Sequence, residues 1–252
     1  MELLLGIIPP AVFALVLVLE RVFPAQPLPR VRGWVLKGWL FFIFTAVVNG
    51  VVPALLASVL GDRTLFHLGA LGVVPGALLG YVVADFFGYW SHRAMHTLPR
   101  LWRWTHQMHH SAERMDLAGL SYAHPFDTLL SFTLTGLATT LLGLSPLAAA
   151  MAGMLGFAAA VVQHMNIRTP RWLGLVVMRP EQHGLHHARN VHAYNYANVP
   201  LWDMLFGTYR NPLSFPERYG FWDGASGRVG AMLLGRDVGE PSSRQSAPST
   251  TF

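Results

Sequence analysis

The charge-free stretches of this chain constrain its fold more than any other feature. Residues 3–19, 38–60 and 64–84 each run at membrane-spanning length without an Asp, Glu, Lys or Arg. A fourth stretch, 128–163, is longer still. As a single helix at ~1.5 Å per residue it would extend about 54 Å, far beyond the ~30 Å hydrocarbon core of a bilayer. Gly143 and Pro146 sit near its centre, so it is expected to form a helical hairpin with short arms. Composition points the same way. Of the 252 residues 52% are apolar and 12% charged, against roughly 25% charged in a soluble domain, too few to clothe a water-soluble globule. The first stretch lacks a basic leader and a small-residue cleavage site, so it is expected to be an anchor rather than a signal peptide.

The basic residues are placed asymmetrically. Arg21, Arg30, Arg32 and Lys37 lie between the first two spans, Arg63 alone lies between the second and third, and all others follow the third. If the hairpin returns to its side of origin, every Lys and Arg except Arg63 falls on one face, which the positive-inside rule makes cytoplasmic. The net charge of +5 then belongs to a surface beside anionic lipid. No basic helix and no aromatic–basic interleaving supports nucleic acid as a partner. Residues 1–238 are expected to form one membrane-embedded domain, and 239–252 (GEPSSRQSAPSTTF) a disordered tail.

Cysteine is absent, which excludes disulfides, thiolate metal sites and a cysteine nucleophile. Histidine takes the prominent place. HRAMH at 92–96, HQMHH at 106–110 and HGLHH at 183–187 place histidines at i, i+3 and i+4, one face of a helix. His92 and His96 therefore point together, as do His106, His109 and His110, and again His183, His186 and His187. Imidazole is a common ligand of iron, zinc and copper. Eight ligands exceed what one ion takes and suit two ions at close range.

These motifs, with their order and spacing, resemble the fatty acid hydroxylase/sterol desaturase superfamily of integral-membrane di-iron oxygenases. DFFGYWSHRAMH (85–96), LWRWTHQMHHSAERMD (101–116), HGLHHARN and NYANVPLWDMLFGTY (195–209) are similar to that family's elements, and the likeness covers roughly residues 81–212. Ala197 stands where the family usually has glycine, a departure expected to have only local backbone consequences. The resemblance implies an oxidoreductase that uses O2 and external electrons to hydroxylate or desaturate a lipid, with two ferrous ions as cofactors and zinc as a possible substitute. It also implies an isolated histidine between the second and third clusters. His164, closing the charge-free hairpin, fits that place better than His124, and as a ninth ligand it would raise one four-ligand ion to five. No haem- or flavin-binding segment is recognisable, so electrons are expected from a separate protein. The fold is expected to be all-α: a membrane bundle beneath a cytoplasmic helical cap that holds the dimetal site. A membrane metal carrier and a zinc hydrolase are the alternatives from other classes.

Other residues are placed by simpler arguments. Asp85, two turns before His92 on one helical face, is expected to orient a ligand histidine through its free ring N–H. Asn166 and Asn195 are candidates for a similar role or for substrate contact, but they and Asn190 and Asp203 serve equally as caps or turn residues. His124 is expected to line the site or simply to begin a helix before Pro125. Glu113 and Asp116 read as a solvated face, His192 as a loop histidine, and His67 as lying at the opposite membrane face. Trp102, Trp104, Trp172 and Trp202 fit an interfacial aromatic belt.

Overall fold

The computed structural model describes residues 2–61 and 63–240. The expected disordered tail lies outside these except for its first two residues. The chain is all-helical, with no strand among the described residues. Among the described residues, five long helices form the bundle: α1 (Glu2–Val22), α2 (Trp34–Leu60), α3 (Val73–Thr97), α7 (Pro125–Leu142) and α8 (Pro146–His164). Six short ones build a cap at one end: α4 (Pro99–Trp104), α5 (Gln107–His110), α6 (Leu117–Leu120), α9 (Pro180–His186), α10 (Pro200–Leu205) and α11 (Val229–Leu233).

α2, α3 and α8 are long and apolar enough to cross a membrane. Along α2, Leu36, Leu40, Ile43, Val47, Val51, Leu55 and Val59 all face outward and exposed. Their spacing of three or four residues makes a continuous apolar stripe. Such a face would destabilise a protein in water and is at home in lipid, where every backbone group is already paired within the helix.

Small residues let the long helices approach closely. A Cβ on Gly80 of α3 would lie 2.7 Å from Leu144 and 3.3 Å from Ala152 of α8, and one on Gly38 of α2 would lie 2.7 Å from the Ala118 carbonyl oxygen of α6. The α7–α8 hairpin breaks where the sequence reading placed it. Gly143 closes α7 in the left-handed conformation (φ 67°), and Ser145 caps α8 with Pro146 in its first turn. The 64–84 stretch is different. Residues 64–72 form a connection with a 3-10 turn at Leu68–Leu71, pinned by Leu65 N–H donating to Leu141 O, and α3 begins only at Val73. The helix then runs past the apolar stretch to Thr97, which carries His92 and His96 to the capped end.

Buried carboxylates sew that end together. Glu20 of α1 accepts from Leu117 N at 2.7 Å and Asn166 N at 2.9 Å. Asp116 accepts the Trp34 indole N–H at 2.7 Å. Glu113 accepts from the Gly224 and Ser226 amides. The expectation that Glu113 and Asp116 face solvent is therefore corrected: both are buried, Glu113 against the Gly224 and Ser226 amides and Asp116 against the Trp34 indole at the start of α2.

Candidate metal centre

The ends of α3 and α8 meet α5 and α9 in one small volume. His92 and His96 leave α3 one turn apart, and His164 is the last residue of α8. His106 precedes α5, which carries His109 and His110. α9 carries His183 and His186, with His187 closing it. Pro180 and the Arg179–Gln182 cap fix the start of α9, so its rings are delivered from a defined direction.

Nine rings form two groups. His92, His96, His106, His110 and His186 bring one nitrogen each to within 4.8 Å of one another, and His109, His164, His183 and His187 do the same. A metal with ~2.1 Å bonds to nitrogen places opposite ligands about 4.2 Å apart, so each group has the dimensions of one coordination shell. The three sequence clusters divide five and three rather than evenly, and His164 brings the smaller group to four.

The ring orientations test whether a cation fits. His92 Nδ1–H donates to Tyr196 O at 2.6 Å, His186 Nδ1–H to Tyr194 O at 2.7 Å, and His106 Nδ1–H to Asp127 Oδ2 at 2.7 Å. In the second group His164 Nδ1–H donates to Ala160 O at 2.9 Å and His109 Nδ1–H to Tyr122 O at 3.4 Å. A neutral imidazole has a single N–H, so each Nε2 of these rings is left with a bare lone pair. Those lone pairs face one another. His92 and His106 approach at 2.9 Å, and His109 and His164 at 3.2 Å, Nε2 to Nε2. Acceptor against acceptor is repulsive unless a cation lies between them. Buried His96 Nε2 has no partner at all, and His183 Nε2 meets His187 Nε2 at 3.2 Å. The donor set fits a metal in each group.

Burial enforces the neutral form that metal binding needs. Desolvation, then repulsion from neighbouring imidazoles, pushes His106, His110, His183, His186 and His187 well below the ordinary histidine value. His109 is pushed down to about 3, with desolvation the largest cause.

The loop after α9 supplies the carbonyls that aim two of the rings. Asn190, His192, Tyr194 and Asn195 all have positive φ, a concentration of left-handed backbone held by its surroundings. Asp203 accepts from the Tyr196 and Ala197 amides, both at 2.9 Å. Asn195 donates to Gln182 O and accepts from Arg210 N, which makes it a loop brace. Ala197 has no positive φ, so its side chain strains nothing.

Asp85 requires a correction. Its carboxylate touches no histidine; it accepts from Asn198 N at 2.9 Å and Val199 N at 2.8 Å, holding the segment that enters α10 against α3. The helical face was read correctly, but the docked loop reaches the carboxylate before any ring does. Asp127 of α7 makes the histidine contact expected of Asp85, through His106 Nδ1 at 2.7 Å. Its position three residues beyond His124, in the first turn of α7, was the available signal.

The remaining candidates separate. His124 joins neither group: it caps α7, accepting from Phe126 N at 3.1 Å. Asn166 ties the exit of α8 to the α1–α2 connection through Gln26 O. His192, read as a loop residue, contacts His110 Nδ1 at 2.9 Å. Trp102 packs 5.0 Å from His96 and 5.3 Å from His110, roofing the site, whereas Trp104 and Trp172 are exposed. His67 sits at the far end of the bundle beside Thr64.

Fold and site thus define a polytopic helical membrane protein with two buried histidine groups at one end of its bundle. Comparison with known proteins gives the family. The fatty acid hydroxylase family model matches residues 77–208, and the chain belongs to that family. It is 32% identical over 174 residues to ornithine lipid hydroxylase OlsE of Rhizobium tropici, covering 67% of this chain and 50% of that protein. It is 28% identical over 181 residues to sphinganine C4-monooxygenase 1 of Arabidopsis thaliana, covering 68% and 69%. A Delta(7)-sterol-C5(6)-desaturase of Nicotiana tabacum is 27% identical over 151 residues, covering 58% and 54%. The chain therefore spans only half the length of the ornithine lipid hydroxylase. No solved structure matches it significantly.

Proposed function

We propose that this chain is a membrane oxidoreductase that hydroxylates or desaturates a lipid, with one iron held by His92, His96, His106, His110 and His186 and a second by His109, His164, His183 and His187. The observation that carries the reading is the pairing of bare Nε2 lone pairs inside both groups. When bound, the two irons supply dioxygen activation with external electrons, an oxidant strong enough for an unactivated C–H bond. The protein's own part is positioning and exclusion of water. Asp127 and the carbonyls of Tyr194 and Tyr196 fix the tautomer and angle of three rings. Trp102 and the cap close over them. Because His92, His96 and His164 stand at the ends of α3 and α8, the site lies where the chain of a bilayer lipid can reach it.

The family relatives that act on ornithine lipids, sphinganine and sterols favour a lipid substrate. The basic-residue asymmetry favours a cytoplasmic site, and a separate protein supplies the electrons. A zinc hydrolase is disfavoured because Asp127, the carboxylate nearest the rings, is engaged with His106 and is not free as a general base. A carrier would hold its ligands near the membrane midplane on broken helices.

The test is lipid mass spectrometry of cells with and without the gene, grown under labelled dioxygen. A lipid gaining one labelled oxygen, or losing two hydrogens, only when the gene is present and His186 intact is the expected result. A lipid profile unchanged by the gene, under iron-replete growth with a reductase system present, would overturn the reading.

A further inference from the structure

A second concave site lies beside the cap, outside the metal centre. It is a cavity of about 570 Å³ between the connection from α1 to α2 and the segments following His110, His187 and Phe215, within the size range of small-ligand sites. Its wall carries Arg30, Arg32, Lys37 and Arg218, none of which pairs with a carboxylate among the described residues. Arg189 pairs with Asp223 at 2.6 Å, and the Glu113 carboxylate keeps its charge while its oxygens are engaged by the Gly224 and Ser226 amides. Arg30, Arg32, Lys37, Arg189 and Arg218 thus face Glu113, Glu217 and Asp223 among the described lining residues, so the wall holds a surplus of positive charge.

The wall is braced. Arg114 donates to Pro29 O at 2.6 Å and Asn166 to Gln26 O at 2.9 Å, holding the connection against the cap. A smaller cavity shares Arg30 and Val31 with the first and continues over Val35 and Leu36 at the start of α2. From there the exposed stripe of Leu40 and Ile43 leads along the membrane-crossing helix. Unpaired cations thus pass directly into a lipid-facing apolar surface.

We propose that this cleft binds the phosphate headgroup of an anionic membrane phospholipid, with Arg30, Arg32, Lys37 and Arg218 around the phosphate and the acyl chains along Leu36, Leu40 and Ile43. The concavity suits a headgroup, whereas a folded acidic protein could meet only its rim. The site is independent of the metals and of the reaction proposed above, and the bound lipid would anchor the cap to the bilayer surface.

The test is native mass spectrometry of the detergent-purified chain titrated with dioleoyl phosphatidylglycerol, dioleoyl phosphatidylcholine or inorganic phosphate. Juxtamembrane basic residues contribute about fivefold each to anionic-lipid binding. The wild type should therefore retain one phosphatidylglycerol at least about tenfold more tightly than phosphatidylcholine. Changing Arg30, Arg32, Lys37 and Arg218 together to Gln should abolish that preference, and changing all but Lys37 to Lys should restore most of it. Neutralising Arg100, Arg103, Arg168 and Arg171 removes the same charge elsewhere and should leave the preference within about threefold. Unchanged retention in the cleft variant, with its elution and thermal transition as wild type, would overturn the proposal. So would equal loss in the remote variant, which would mean diffuse surface charge. Inorganic phosphate competing as well as the lipid at equal concentration would make the occupant a soluble phosphate ester and would also overturn it.

Discussion

Five rings meet on the α3 side of the cap and four on the α8 side, and the two groups differ in what holds them still. In the first, three Nδ1 atoms are engaged from outside their own helices: by Asp127 of α7, and by the carbonyls of Tyr194 and Tyr196 in the loop of strained backbone after α9. A fourth, that of His110, meets His192. In the second, His164 leans on its own helix through Ala160 O, His109 makes a long contact of 3.4 Å, and His183 Nδ1 has no partner. The first group is thus over-determined by tertiary structure, and the second is held chiefly by where its helices lie. Fewer donors and looser rings mean weaker metal affinity. The second group should be the one that empties first.

Removing a ligand has the largest expected effect. His110→Ala and His183→Ala should each lower turnover by more than about 100-fold, beyond the range of outer contacts. Metal analysis should separate them: His183→Ala keeps the metal of the five-ring group, whereas His110→Ala disturbs the site with the greater affinity. Identical metal contents in both variants would erase the distinction between the groups.

Acid should reveal the same order. In the metal-free protein, burial holds His109 at about 3 and pushes His106, His110, His183, His186 and His187 below the ordinary value of 6.5. Below pH 6.5 the unfolded chain binds protons that the folded one refuses. Stability should therefore be full above that pH and decline as pH falls toward the folded values, by about 1.4 kcal/mol per pH unit for each such imidazole. Metal release on acidification, followed by atomic absorption of the retained protein, should occur in two steps, the first leaving about one metal per chain by the two-group count. Release of both together would contradict unequal groups.

Asp127→Asn comes next. Loss of the carboxylate on His106 should cost about 10–100-fold in turnover or in affinity of the first group, with the second unaffected. Asp85→Asn makes the useful contrast. Because Asp85 holds the Asn198 and Val199 amides before α10 instead of meeting a ring, that change should lower the thermal transition more than it lowers metal content. The smallest effect is expected for His192→Ala, a few-fold loss of affinity confined to the first group, since His110 keeps its place on α5 and its packing against Trp102.

Much of this was legible before the chain was folded. Charge-free length placed the long helices, and Gly143 with Pro146 marked the hairpin, because a left-handed residue and a helix-start proline act locally. The connection at 64–72 was not visible: it is apolar yet non-helical, and hydropathy alone does not separate the two. Within the site, helical spacing put each cluster of rings on one face. It could not assign rings to groups, since the five-and-four division depends on how α5 and α9 dock against α3 and α8. The exchange of roles between Asp85 and Asp127 has the same origin. Each is a carboxylate close to histidines in sequence or along a helix, and only the packing of α7 and the loop after α9 decides which one reaches a ring.

As proposed, the nine histidines hold two metals in unequal groups, with His164 completing the smaller. Metal analysis of His164→Ala beside the wild type, both purified anaerobically from iron-replete cells, tests it most directly. By the ligand count, about two irons per chain are expected for the wild type, and about one for the variant, with the five-ring group still occupied and turnover lost. Two irons and normal turnover in His164→Ala, or a single iron in the wild type, would contradict the account.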